Sequence, residues 1–461
     1  MAKHSALVVF VLCIPVIAGF APLVTAPWDV GGQPRAIVKA RSTELRASSS
    51  DESSSNSGNN NFDSLLESLK QRQLELQEDQ NQRVTKWKTA DCSSAVQLVL
   101  PNWVRRLDVE YPLVACGSGR GDVYVGHLET GDVVAIGQVE HNDDETAEIL
   151  DTDNNKRLEK VVRVLFNGYD GGGTLAMAFR GGLICEGRRS GGVYIWRLDP
   201  DSDRLVPQGS IPALDGDLVT ALHLDADHLW VGTVDGHLQA FSLEEDLPLA
   251  LQNTPEMVWQ FGETITSLSL SPEHGCGAAA TSAGSVHIFS LEDEDIVVGS
   301  FFPPFDSSER KAIQAFPSSV TFVGMKNNNS SDDDAGDKNK KKTELMVASG
   351  GNDGSIFLQP VELTSTGEVN TERPFTKPLR PLRPRHFGPA KCLCSPLPGI
   401  LVSAGQDGGM RVWDVAESMC LYQFVGYKVW MGSLWTDGYR LVSDGADNTV
   451  IVHDFTKGSE P

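Results

Sequence analysis

Two acidic runs carry the alternating carboxylates with which a loop can wrap a calcium ion: Asp151-x-Asp153-x-Asn155 and Asp199-x-Asp201-x-Asp203. Such a loop needs a glycine at its sixth position for the sharp turn and a bidentate glutamate at its twelfth. The first run has Lys156 and Val162 at those places, and the second has Arg204 and Ser210. Solvated acidic loops are expected, and no metal site. Gly117-x-Gly119-x-Gly121 imitates a nucleotide loop. It lies within an alternating strand pattern, with no helix after it to offer free N–H groups to a phosphate. A hairpin turn is the expectation there. The cysteines (Cys13, Cys92, Cys116, Cys185, Cys276, Cys392, Cys394, Cys420) form no C-x-x-C and no zinc spacing. Cys392 and Cys394, two apart, share one face of a strand. Small buried thiols are the expected reading. No nucleophile elbow, H-E-x-x-H, Walker loop or kinase set occurs. The chain is therefore expected to be no enzyme and to carry no cofactor.

The charge balance narrows the partners. Net charge is −23 over 461 residues. The first fifty residues are basic, with Lys3, Arg35, Lys39, Arg41 and Arg46 against Asp29 and Glu44, so the remainder is more acidic than the whole. A body of that charge disfavours nucleic acid and anionic lipid, both of which need a basic surface. One segment runs the other way. Arg373, Lys377, Arg380, Arg383 and Arg385 alternate with Pro374, Pro378, Pro381 and Pro384, a spacing that favours an extended polyproline conformation. These five cations are the candidate partner-binding residues. The acidic insertion over 141–160 carries the opposite charge, and together the two segments form a docking surface for other proteins if the fold brings them to one face.

The N-terminus reads as a leader. Residues 6–17 are apolar after Lys3 and too short to span a membrane, and Ala18-Gly19 offer small residues for cleavage. A signal peptide over 1–19 is expected, hence no stable membrane span in the mature protein. Residues 20–50 are basic, serine-rich and poor in acids, the composition of a transit peptide. Signal peptide, Phe20 at the junction and then this stretch together resemble the bipartite leader of plastid proteins in algae with complex plastids. That resemblance implies a plastid (chloroplast) location; a plain secretory signal followed by a linker is the alternative. Residues 51–61 are low-complexity and expected to be disordered. Over 62–90, Phe62, Leu65, Leu66, Leu69, Leu76, Val84 and Trp87 recur at helical spacing, with Asp63 and Ser64 where a helix can start. This amphipathic helix either packs its stripe on the following domain or offers it to a partner.

The elements that must position all these residues are repeats. A strand, a tight turn and an alternating strand recur seven times, at 113–128, 183–198, 228–243, 279–291, 345–361, 401–415 and 441–455. With Gly121, Gly191, Gly236, Gly284, Gly354, Gly408 and Asn448 as turn anchors, an apolar residue follows two positions later each time: Val123, Val193, Leu238, Val286, Ile356, Met410 and Val450. Another follows two beyond: Val125, Ile195, Ala240, Ile288, Leu358, Val412 and Val452. Period two puts both on one face of a strand. Glycine and asparagine suit an anchor that needs positive φ. Anchor spacings are 70, 45, 48, 70, 54 and 40, and the long gaps hold the insertions 141–160 and 326–343 and the Pro/Arg stretch.

This arrangement resembles the WD-repeat family, whose units run about 40–45 residues. The sixth unit, R-H-F-G-P-A-K-C-L-C followed by L-V-S-A-G-Q-D-G-G-M-R-V-W-D, carries the likeness best. The resemblance implies an all-β, seven-bladed β-propeller over 91–457, preceded by the disordered leader and one amphipathic helix. It also implies that His386, Ser403, Asp407 and Trp413 form a buried hydrogen-bonded structural tetrad. Other units depart from the pattern: Trp196 keeps the tryptophan position, while Phe241, Phe289 and His453 replace it. The strand Ala95–Leu100 has no unit of its own, and the last unit has no fourth strand. Pairing the two closes the ring and hides both edges. The expected function is a non-catalytic interaction scaffold or assembly factor. A secreted or endomembrane interaction propeller is the alternative. A propeller enzyme is the lesser one, and needs carboxylates or histidines converging on the central channel.

Overall fold

A computed structural model describes residues 9–12, 58–138, 173–188, 192–211, 218–243, 254–293, 296–305, 315–326, 343–427, 431–445 and 448–456. Its strands form seven antiparallel sheets, the blades of one β-propeller. The inner strands, in blade order, are Val104–Glu110, Thr174–Arg180, Val219–Leu224, Ile265–Ser271, Pro317–Lys326, Ala390–Leu397 and Leu434–Thr436. Each packs beside the next, and the last packs beside the first. Blade seven takes its outer strand from the start of the chain: Ser93–Val99 pairs antiparallel with Thr449–Asp454, the last strand. The expected closure and the seven-fold count are therefore both present. A further strand, Val9–Leu12, pairs with the outer strand Met419–Val425 of blade six.

The turn anchors behave as their residue types require, with one exception. Gly121 and Gly236 have φ of 86° and 87°, a region closed to most side chains, and Gly284, Gly354 and Gly408 follow suit. In blade two the left-handed residue is Gly192, next to the anchor Gly191, which is outside the described residues. Asn448 departs from the expectation: its φ is not positive, and its side-chain amide instead donates to Leu100 O. It thereby ties the closing strand to the last hairpin.

A second set of glycines serves the spacing between blades. Gly117, Gly187, Gly232 and Gly350 hold the same place, late in the second strand of blades one, two, three and five. A Cβ on any of them would fall within 3 Å of the next blade's inner strand, at Thr174, Val219, Ile265 and Ala390 respectively. Blades four and six use Ala280 and Ala404, both fully buried. The hydrophobic clusters consequently straddle neighbouring blades. One joins Val442 and Val450 to Leu98, Val104 and Leu107 across the point of closure.

The helix α1 spans Gly58–Thr89. Its last turns grip the propeller. Trp87 is fully buried, stacks on Phe455 with 3.8 Å between ring centroids, and donates from Nε1 to Gly438 O at 2.9 Å. Lys88 pairs with Asp414 at 2.7 Å, and the Arg83 guanidinium lies 4.5 Å above the Tyr439 ring. The stripe expected from the sequence thus divides: its C-terminal end packs on blades six and seven, whereas Leu65, Leu69 and Leu76 stay more than half exposed. No helix among the described residues is long and apolar enough to cross a membrane.

Candidate functional site

The crossover from blade five to blade six carries the sequence-predicted tetrad histidine. His386 lies on it, Ser403 on the strand Ile400–Gly405, Trp413 on Met410–Asp414, and Asp407 in the turn between those strands. Trp413 Nε1 donates to Ser403 Oγ at 2.8 Å, Ser403 Oγ meets His386 Nε2 at 2.8 Å, and His386 Nδ1 meets Asp407 at 3.0 Å. The four residues form one continuous buried chain of hydrogen bonds. Burial pushes the His386 imidazole below its ordinary range, so the ring is neutral near pH 7. Burial alone would raise the Asp407 carboxyl, but the bonds from His386 and from Phe387 N, with Arg411 nearby, bring it below the usual range.

The same groups pin the loop backbone. His386 N donates to Gly354 O at 2.9 Å and Phe387 N to Asp407 Oδ2 at 3.1 Å. Arg411 Nη1 donates to Pro384 O at 3.2 Å. The Phe387 ring, by contrast, is 94% exposed. A rigid backbone that presents a bare aromatic ring loses little entropy when something covers it. His386 is legible in the sequence, whereas its neighbour is not singled out there. The available signal is an aromatic residue directly after a tetrad histidine.

The five cations of the Pro/Arg stretch do not form one patch. Residues 362–379 leave blade five on the face opposite the hairpin turns, where Lys377 pairs with Glu344 and Phe375 packs edge-on against Phe301 of blade four. Arg373 is exposed on this excursion. The chain returns as the outer strand Arg380–Leu382, with Leu382 buried and Arg380 Nη2 3.2 Å from Met346 Sδ. Prolines are tolerated because this strand is an edge. Arg383 and Arg385 then enter the crossover, both exposed, beside Phe387. The partner segment expected at 141–160 lies outside the described residues.

Two blades replace the tetrad with other polar chemistry. In blade two Glu186 stands where blade six has Ser403, and bonds Thr174 Oγ1 at 2.5 Å and Arg188 at 2.7 Å. In blade seven His453 stands where blade six has Trp413, between Ser94 Oγ at 2.6 Å and Tyr427 Oη at 2.7 Å. Burial lowers the His453 pKa from an ordinary 6.5 to about 3. An unfolded chain takes up this proton below pH 6.5 and the folded one does not. The contribution of His453 is therefore complete above 6.5 and is lost as the pH falls toward 3. Asp108 and Asp444 act oppositely, since burial raises them to about 6 and about 7. A comparison of variants cancels their part. Between pH 7.5 and 5, His453→Gln should lose about 2 kcal/mol less stability than the wild type in urea unfolding. Equal losses would mean that His453 does not fold as a neutral group.

Gly121 closes the hairpin from Leu113–Ser118 to Val123–His127. Asp199 accepts from Asp201 N and Ser202 Oγ in a turn of blade two, while Asp151–Asn155 lies outside the described residues. Among the described residues, no group of three or more His, Cys, Asp or Glu is arranged to hold a metal ion. Cys92, Cys116, Cys185, Cys276, Cys392, Cys394 and Cys420 are buried and form no disulfide with one another. No protein-family model matches the chain, and no curated protein does. Among solved structures it is similar to the crystal structure of the computationally designed Ika8 protein. The TM-score is 0.44 and the identity 16%, over 78% of this chain and 99% of that one.

Proposed function

We propose that this seven-bladed propeller is a non-catalytic scaffold or assembly factor of the WD-repeat type, working on other proteins inside a plastid. The observation that carries the reading is Phe387, 94% exposed on a loop whose backbone is fixed at Pro384, His386 and Phe387. Exposed aromatic and arginine side chains are the residue types that anchor protein interfaces. Arg383 and Arg385, both exposed, precede Phe387 by four and two residues on the same loop, so its partner is a protein segment with an apolar socket and acidic residues near it. The rigid ring supports this role because it can hold several loops in fixed relation. The leader around Phe20 supports the location.

Affinity recovery of the full chain from isolated plastids tests both parts. Wild type should be found there with a reproducible partner set. Phe387→Ala with Arg383→Glu and Arg385→Glu should lose at least one partner while keeping its melting temperature. A chain missing from plastids would remove the location, and an unchanged partner set would remove the face.

A further inference from the structure

The inner strands enclose a cavity of about 230 Å³ on the ring axis, lined by residues of all seven blades. Two lining side chains are charged, Arg106 and Lys391, and none of the lining residues is a carboxylate. Thr220, Thr266, Ser318 and Ser319 also line it, but their hydroxyls donate to backbone carbonyls of the ring, which leaves Ser267 and Ser433 as further hydroxyls. In a chain of net charge −23, a cavity whose only charges are positive runs against the composition.

The cations are neighbours across one blade. Arg106 comes from blade one and Lys391 from blade six, on either side of the blade seven inner strand, and Gly432-Ser433 lies between them. The missing side chain at 432 makes room, since a Cβ there would stand 2.5 Å from Arg106 Nη1. Ser433 Oγ accepts Leu107 N at 3.1 Å, which leaves its own O–H to donate. Asp444 stands behind this group, with Oδ2 accepting Gly432 N at 2.7 Å. It stands as a counter-charge beside Arg106: burial lifts the carboxyl to about 7, and Arg106 pulls it back the other way. Bonds from charged donors to an anion are the strong kind.

We infer that the channel binds a small, multiply charged oxyanion of the phosphate class, held by Arg106, Lys391 and Ser433. The cavity is too small for a nucleic acid or a membrane surface, so the guest is a free small molecule. The inference is independent of the scaffold reading and of the Phe387 loop.

Calorimetric titration of the full chain with inorganic phosphate, at ionic strength held constant with sodium chloride, is the test. Saturable one-to-one binding is expected, with a rise in melting temperature that sodium chloride alone does not give. Lys391→Met keeps the aliphatic stem and should weaken binding by about tenfold or more. Lys391→Arg should retain it. Ser433→Ala, a smaller change, should weaken it a few-fold and serves if Lys391→Met does not fold. Glycerol phosphate binding more tightly than inorganic phosphate would identify the guest as an ester, and the reverse as the free ion. No saturable binding of either, or equal affinity in wild type, Lys391→Met and Ser433→Ala, would overturn the inference.

Discussion

Leu98→Ala is expected to lower the stability of the whole ring by about 2–5 kcal/mol, although residue 98 belongs to the first strand of the propeller and not to its middle. Leu98 is 1% exposed. It pairs with Val450 on the last strand and fills the space beside Gly126 of blade one, where a Cβ would collide with it. One side chain thus joins the two ends of the chain and the two blades on either side of the closure. The strand is held further by Ser94 on His453 and by Asn448 on Leu100 O. Removing the methyl groups leaves a cavity at the single place where the ring is sealed without a continuous backbone. Val99→Ala on the same strand is the control, because Val99 is 66% exposed. Urea unfolding should separate the two variants clearly, and small-angle scattering should show Leu98→Ala expanding before the wild type does. Equal midpoints for both would mean that the early strand does not seal the ring.

What could be read in advance follows the same physics. The hairpin turns are visible because a two-residue reversal needs a left-handed residue, and Gly121, Gly236, Gly284, Gly354 and Gly408 mark it one by one. Closure is visible by counting edges: a strand near Val96 without a sheet and a last hairpin without a fourth strand must satisfy each other. The tetrad can be named only through a resemblance, and the structure shows why composition alone would mislead. His386, Ser403 and Asp407 read as a catalytic set, yet the chain of bonds ends on the Trp413 indole. Contacts between blades are not legible. Gly117, Gly187, Gly232 and Gly350 look like part of the turn signal, whereas each leaves room for a residue at least 32 positions away. Asp444 stands at the equivalent place in blade seven, opposite Gly117 and its counterparts, and no one-dimensional pattern places it beside Arg106. The Pro/Arg stretch reads as one extended surface because its composition is uniform. Its backbone instead supplies blade five with an outer strand, and that task divides its cations between the two faces.

Blade two offers the sharpest test of how a departure from the repeat is held. Glu186 is fully buried, and Arg188, two residues later, is 5% exposed. Arg188 donates from Nε at 2.9 Å and from Nη2 at 2.7 Å to Glu186 Oε2, and from Nη2 to Gly121 O of blade one at 2.5 Å. Thr174 Oγ1 donates to the other carboxylate oxygen, and the guanidinium lies 4.5 Å above the Tyr194 ring. Burial pushes the Glu186 carboxyl upward, and Arg188 beside it pulls back the other way. Each charge is tolerable here only because of the other. Glu186→Ser should therefore cost about 3–5 kcal/mol, since it strands a guanidinium at the junction of blades one and two. Adding Arg188→Gly makes the site copy blade six, which has Ser403 and Gly405 at the two positions. The double variant should recover most of that loss, because both buried charges are then gone. The introduced hydroxyl can also accept from Trp196, as Ser403 does from Trp413. Chemical denaturation of the wild type, both single variants and the double variant closes the cycle. Additive losses would show that the two residues act separately, and the ion pair would no longer account for blade two.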